Sequence, residues 1–136
     1  MAPYEETLLP EEEYQLKTIA DQVNPKKKYG GLVDRLNSSR NTAEIAFIAR
    51  LLKESIDRDL SSKNLPKLRV HPSLAESVHD AIFEKWSYLA KNYPMVTEHR
   101  LLLLEALGKS NMLCEAALSR KSRVLTKLAQ RRYGKK

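Results

Sequence analysis

Between Asn41 and Asp59, the apolar residues Ile45, Ile48, Ala49, Leu52 and Ile56 recur at intervals of three and four. That is the repeat of one face of an α-helix. Phe47 and Leu51 widen the stripe, so this helix is expected at the centre of a core rather than on its surface. Asn41-Thr42-Ala43-Glu44 ahead of it places an acid three positions after a capping residue, the pattern of a capping box. A helix buried this broadly needs other apolar faces around it.

The rest of the sequence supplies them. A first helix is expected from Pro10, a residue well tolerated at a helix start. Glu11, Glu12 and Glu13 lie at the positive end of its dipole. Its stripe is Tyr14, Leu16, Ile19, Ala20 and Val23, and Asn24-Pro25 stops it. Lys26-Lys27-Lys28-Tyr29-Gly30-Gly31 reads as an exposed loop, followed by a short helix over Leu32 to Leu36. Ser61 to Pro72 reads as a connector pinned by Leu65, Leu68 and Val70. Ser73-Leu74-Ala75-Glu76 is a second capping-box candidate, opening a helix that carries Val78, Ala81, Ile82, Trp86 and Leu89. Thr97 to Leu107 predicts a compact helix, sandwiched because Leu101, Leu102, Leu103 and Leu104 make it apolar nearly all round. Gly108 ends it. Asn111 starts a last helix with Leu113, Ala116, Ala117, Val124, Leu125 and Leu128. No segment alternates as a strand does. The fold class expected is all-α: a compact bundle of five to six helices with a basic C-terminal helix, one domain over 1–136, loose at 1–9 and 133–136.

Composition agrees. Four glycines in 136 residues, with 42% hydrophobic and 30% charged residues, suit a helical globular domain large enough to fold without disulfides. One cysteine, Cys114, allows no internal disulfide. The acidic run at Glu5, Glu6 and Glu11 to Glu13 is the opposite of a presequence. The apolar run Leu101 to Leu104 is far too short for a membrane span.

Charge is the most informative functional feature. The segment from Arg120 onward holds Arg120, Lys121, Arg123, Lys127, Arg131, Arg132, Lys135 and Lys136, with no acid after Glu115. The whole chain is +7, and without this segment it holds 16 basic against 17 acidic residues. A near-neutral body thus carries a cationic end, which makes a directional field. Three partners fit such an end: nucleic-acid phosphates, an acidic protein, or solvent alone. Tyr133 is the one aromatic residue in the run, which argues against a stacking platform for single strands.

Catalytic signals are weak. His71, His79 and His99 have no metal-ligand spacing. Cys114 lacks an evident base. No Gly-rich phosphate loop or nucleophile elbow occurs. Neither a metal nor another cofactor is implied.

Lys67-Leu68-Arg69-Val70-His71-Pro72, followed by a helix with Val78, Ala81, Lys85, Trp86 and Leu89, resembles the end of the N-terminal domain of the elongation factor TFIIS. Elongin A and a Mediator subunit share that helical domain. The resemblance covers residues 32–91. Leu60 to Pro66 stands where the family has a glycine-containing segment. The resemblance implies a bundle that docks short motifs of transcription partners in an apolar groove with a basic rim, formed here by Lys67, Arg69, Lys85 and Trp86.

The function expected is a non-enzymatic nuclear adaptor in transcription or chromatin. Its body would bind a protein, and Arg120, Lys121, Arg123, Lys127, Arg131 and Arg132 would bind nucleic acid or an acidic partner. The alternative is a subunit of a larger complex, nuclear or cytoplasmic, with no nucleic-acid role. It would dock through Val124, Leu125 and Leu128. No membrane and no small-molecule substrate are expected in either case.

Overall fold

A computed structural model describes the backbone of residues 7–133 and the side chains of residues 7–120. Five α-helices follow one another: α1 (Pro10–Ala20), α2 (Pro25–Ser38), α3 (Thr42–Leu60), α4 (Pro72–Asn92) and α5 (Thr97–Tyr133). A 3₁₀ turn over Leu65–Lys67 interrupts the α3–α4 connection. Among the described residues there is no strand, so the all-α bundle expected from the sequence is the fold observed.

Asn24-Pro25 explains the first departure. It ends no helix, because α1 has already stopped at Ala20; it begins α2. Asn24 Oδ1 accepts from the backbone N–H of Lys26 at 2.8 Å and of Lys27 at 3.3 Å, and Pro25 fills the first helical position. Both are standard helix-starting devices. The expected loop at 26–31 is therefore the first half of α2, and Lys28 and Tyr29 are buried. Gly31 is there for contact. A Cβ built on it would lie 2.7 Å from Ile19 Cγ2 of α1.

The capping expectations divide. Asn41 does cap α3, accepting from Ala43 N at 2.8 Å and Glu44 N at 3.1 Å. The Glu44 carboxylate, however, turns to Arg35 at 3.2 Å. Helix α4 is capped by His71 rather than Ser73. His71 Nδ1 accepts from the Ser73 N–H at 3.1 Å, with Pro72 first in the helix.

The second departure is at Gly108. Helix α5 passes through it unbroken. Leu103, Ala106, Ser110, Leu113 and Ala117 are all buried. They keep the spacing of three and four across the glycine, so packing holds the helix where the residue alone would end it. The leucine run is not sandwiched: Leu103 is fully buried, but Leu101 is 52% and Leu104 43% exposed.

Pairs between helices set their directions. Gln15 meets Arg35 while Ile19 meets Gly31, so α1 and α2 are antiparallel. Lys28 pairs with Asp59, and Arg35 with Glu44, so α2 and α3 are antiparallel. Lys53 pairs with Glu105, and Asp57 with Lys109, so α5 runs parallel to α3. A short hairpin turn between Tyr93 and Val96 makes α5 antiparallel to α4, and His79 Nδ1 meets Ser110 Oγ at 2.9 Å between them. One core, from Leu16 to Ala117, runs through all five helices.

Candidate anion-binding pole

These directions gather one end of the bundle. The starts of α2 and α4, the end of α3 and the 3₁₀ turn all lie there. Burial, then the charges of Glu76 and Asp80 near the start of α4, raises the thiol pKa of Cys114 in α5. At ~1.5 Å per residue, α5 draws level with the first turn of α4 about one turn later. Arg120 follows, and the helical backbone continues from this same end to Tyr133.

Exposed cations from distant parts of the sequence meet at this pole. Lys26 and Lys27 come from the start of α2, Lys63 and Lys67 from the connector, and Arg69 from the segment leading into α4. Among the described residues, none of these five is in an ion pair. Two nearby carboxylates are already engaged: Asp59 by Lys28 at 2.9 Å and by the Tyr29 hydroxyl, and Asp57 by Lys109 at 2.8 Å. Burial, then the hydrogen bond to Asp59, pushes the Tyr29 hydroxyl pKa up, which keeps it a donor.

Beside a concavity lined by Asp21, Glu54 and Asp57 near the ends of α1 and α3, two others carry the exposed cations of the pole. One, of about 680 Å³, lies between the starts of α2 and α4 and is lined by Asn24, Pro25, Lys26, Arg69, His71, Ser73, Leu74 and Ser77. It has no carboxylate in its wall. The other, of about 420 Å³, includes Lys67 and Arg69 but also Asp21 and Asp59. Arg69 stands between the two.

The groove expected from Lys67, Arg69, Lys85 and Trp86 is divided. Lys67 and Arg69 line the second concavity, whereas Lys85 and Trp86 line neither. Both lie at least 13 residues into α4, about 20 Å along its axis. Lys85 is buried, and its Nζ donates to the Ser39 carbonyl at 2.6 Å at the end of α2. Burial, then the charge of Arg40, lowers its pKa. Trp86 packs half-buried against the core beside the exposed Phe83, ring centroids 6.2 Å apart. The side chains of Lys121, Arg123, Lys127, Arg131 and Arg132, and of Val124, Leu125 and Leu128, lie outside the described residues; Arg120 is half-buried.

Sequence reading missed Lys26, His71, Ser73 and Ser77 as neighbours. The lysine run and the Arg69–His71 segment were both visible. Their meeting was not, because it depends on α2 beginning at Pro25. Among the described residues, no cluster of three or more His, Cys, Asp or Glu could hold a metal, and no helix is long and apolar enough to cross a membrane. No protein-family model matches the chain, and no match was found among curated proteins or solved structures. What the fold and this pole define is a class: an all-α bundle with a cationic end.

Proposed function

We propose that the chain is a non-enzymatic adaptor that binds nucleic-acid phosphates through its basic pole and the C-terminal half of α5, and a protein partner through its helical body. The observation that carries this reading is the continuity of α5. Its first half is anchored by Leu103, Ala106, Leu113 and Ala117 in the core, and the same helix runs on into the cationic segment. Positions 120, 123, 127 and 131, all Arg or Lys, recur at intervals that place them on one side of a helix. A cationic row along one helix suits the regular charge of a phosphate backbone, and such binding is steeply salt-dependent. The resemblance to the TFIIS N-terminal domain supports placing the adaptor in the nucleus, in transcription or chromatin.

The test is binding of duplex DNA and RNA to the full chain, compared with a variant carrying Arg120→Glu, Arg123→Glu, Lys127→Glu and Arg131→Glu. The expected result is a loss of at least about a hundredfold in affinity at low salt. Equal binding by both proteins would overturn the reading.

One observation favours the alternative, a pure protein–protein subunit. Leu101, Leu104 and Met112 are each about half exposed on α5, and exposed apolar surface of this kind suits a docking helix. Under that reading, Val124→Ser with Leu128→Ser abolishes assembly with the partner, and the four charge reversals leave assembly intact.

A further inference from the structure

We infer that the notch between the starts of α2 and α4 is a discrete phosphate site that holds one phosphate of a nucleic-acid backbone, distinct from the contacts of the C-terminal helix. This deepens the nucleic-acid reading and rests on it for the identity of the ligand.

The side chains make the site. Lys26 and Arg69 both line the notch, and neither is held by a carboxylate. Arg69 offers a planar fork of donors suited to two phosphate oxygens, and Lys26 a point charge. His71 adds a directional donor. Its Nδ1 accepts from the Ser73 N–H, so in the neutral ring the proton sits on Nε2, free to donate outward. Ser73 and Ser77 also line the notch, but their hydroxyl protons are directed to His71 Nδ1 at 2.8 Å and to the Ser73 carbonyl at 3.0 Å, so the donors to phosphate are Lys26, Arg69 and His71. The helix starts themselves contribute little, because Asn24 and His71 already cap them. The carboxylate that competes for Arg69 is Asp21, across the neighbouring groove; Asp59 there is engaged by Lys28 and Tyr29.

The test titrates inorganic phosphate into the isotope-labelled full chain, with chloride at equal ionic strength as control. Saturable resonance shifts are expected at Lys26, Arg69, His71 and Ser73. Arg69→Ala and Lys26→Ala should each weaken phosphate binding about tenfold, Ser77→Asp should abolish it, and Lys91→Ala on the far end of α4 should change nothing. All these positions are exposed, and an unchanged fingerprint elsewhere in the spectrum reports that each variant folds. On duplex DNA, Arg69→Ala should make the slope of log K against log salt shallower by about one. Shifts that chloride reproduces, or that spread over all basic residues without saturating, would overturn the site. Phosphate binding with an unaltered DNA slope, but with lost binding to phosphatidylserine vesicles, would overturn the nucleic-acid assignment in favour of lipid. Loss of DNA binding on reversal of the α5 charges, with phosphate still held in the notch, would leave the site standing and separate it from the helix contacts.

Discussion

Gly30 and Gly31 are neighbours in α2, yet a methyl group added to each meets different surroundings. At Gly30 nothing lies within 4 Å, whereas at Gly31 the new carbon lies 2.7 Å from Ile19 Cγ2. Ile19 is β-branched and stiff at χ1, so it yields poorly. Gly30→Ala should therefore raise stability by about 0.5–1 kcal/mol through helix propensity. Gly31→Ala should lower it by about 1 kcal/mol or more, as overpacking outweighs the same gain. Urea denaturation of the two variants measures both signs. Tyr29 gives a prediction in pH. Its hydroxyl pKa is higher in the folded state than the ordinary value near 10, because burial disfavours the phenolate. The folded chain thus keeps a proton that the unfolded chain releases. This contribution is intact below about pH 10. It is lost as pH rises above that value, by about 1.4 kcal/mol per pH unit. Tyr29→Phe should remove that part of the alkaline decline, and stability measured from pH 8 to 11 in both proteins shows whether it does.

At the scale of elements, the stripe from Ile45 to Ile56 was legible because its fully buried apolar positions obey one period. At Asn24 and His71 a cap stands beside a proline, yet neither start was legible: Asn24-Pro25 reads equally well as a stop, and the Ser73–Glu76 pattern masks the cap at His71. A residue pair that ends one helix and begins the next looks the same in sequence. The glycines misled for a related reason. Gly30-Gly31 and Gly108 are helix breakers by propensity, and tertiary packing on either side of them keeps the helix whole. Lys85 was legible as a cation but not as a buried one, since its partner is the Ser39 carbonyl, 46 residues away in sequence. Removing that amine leaves the carbonyl short of a donor. Lys85→Ala should cost about 2 kcal/mol of stability, and phosphate affinity should stay unchanged. A large loss of affinity in a folded Lys85→Ala protein would return this residue to the binding surface.

The whole molecule is polar in charge as well as in direction. Glu11, Glu12 and Glu13 begin α1 at one end. At the other lie the exposed cations of α2 and the connector, and the backbone of α5 runs on from Arg120 there. Half of this was legible in sequence: the C-terminal charge run needs only counting. The rest required the antiparallel path of the helices, which brings positions 26 and 69 to the end from which Arg120 departs. Such a field should steer a polyanion to that pole before any close contact forms. The measurement that tests this most directly is the affinity of the full chain for duplex DNA from low to high salt. Tight binding is expected at low salt, with a log–log slope of about −4 or steeper from about five or more neutralised phosphates. A slope near zero, or no binding at low salt, would contradict it.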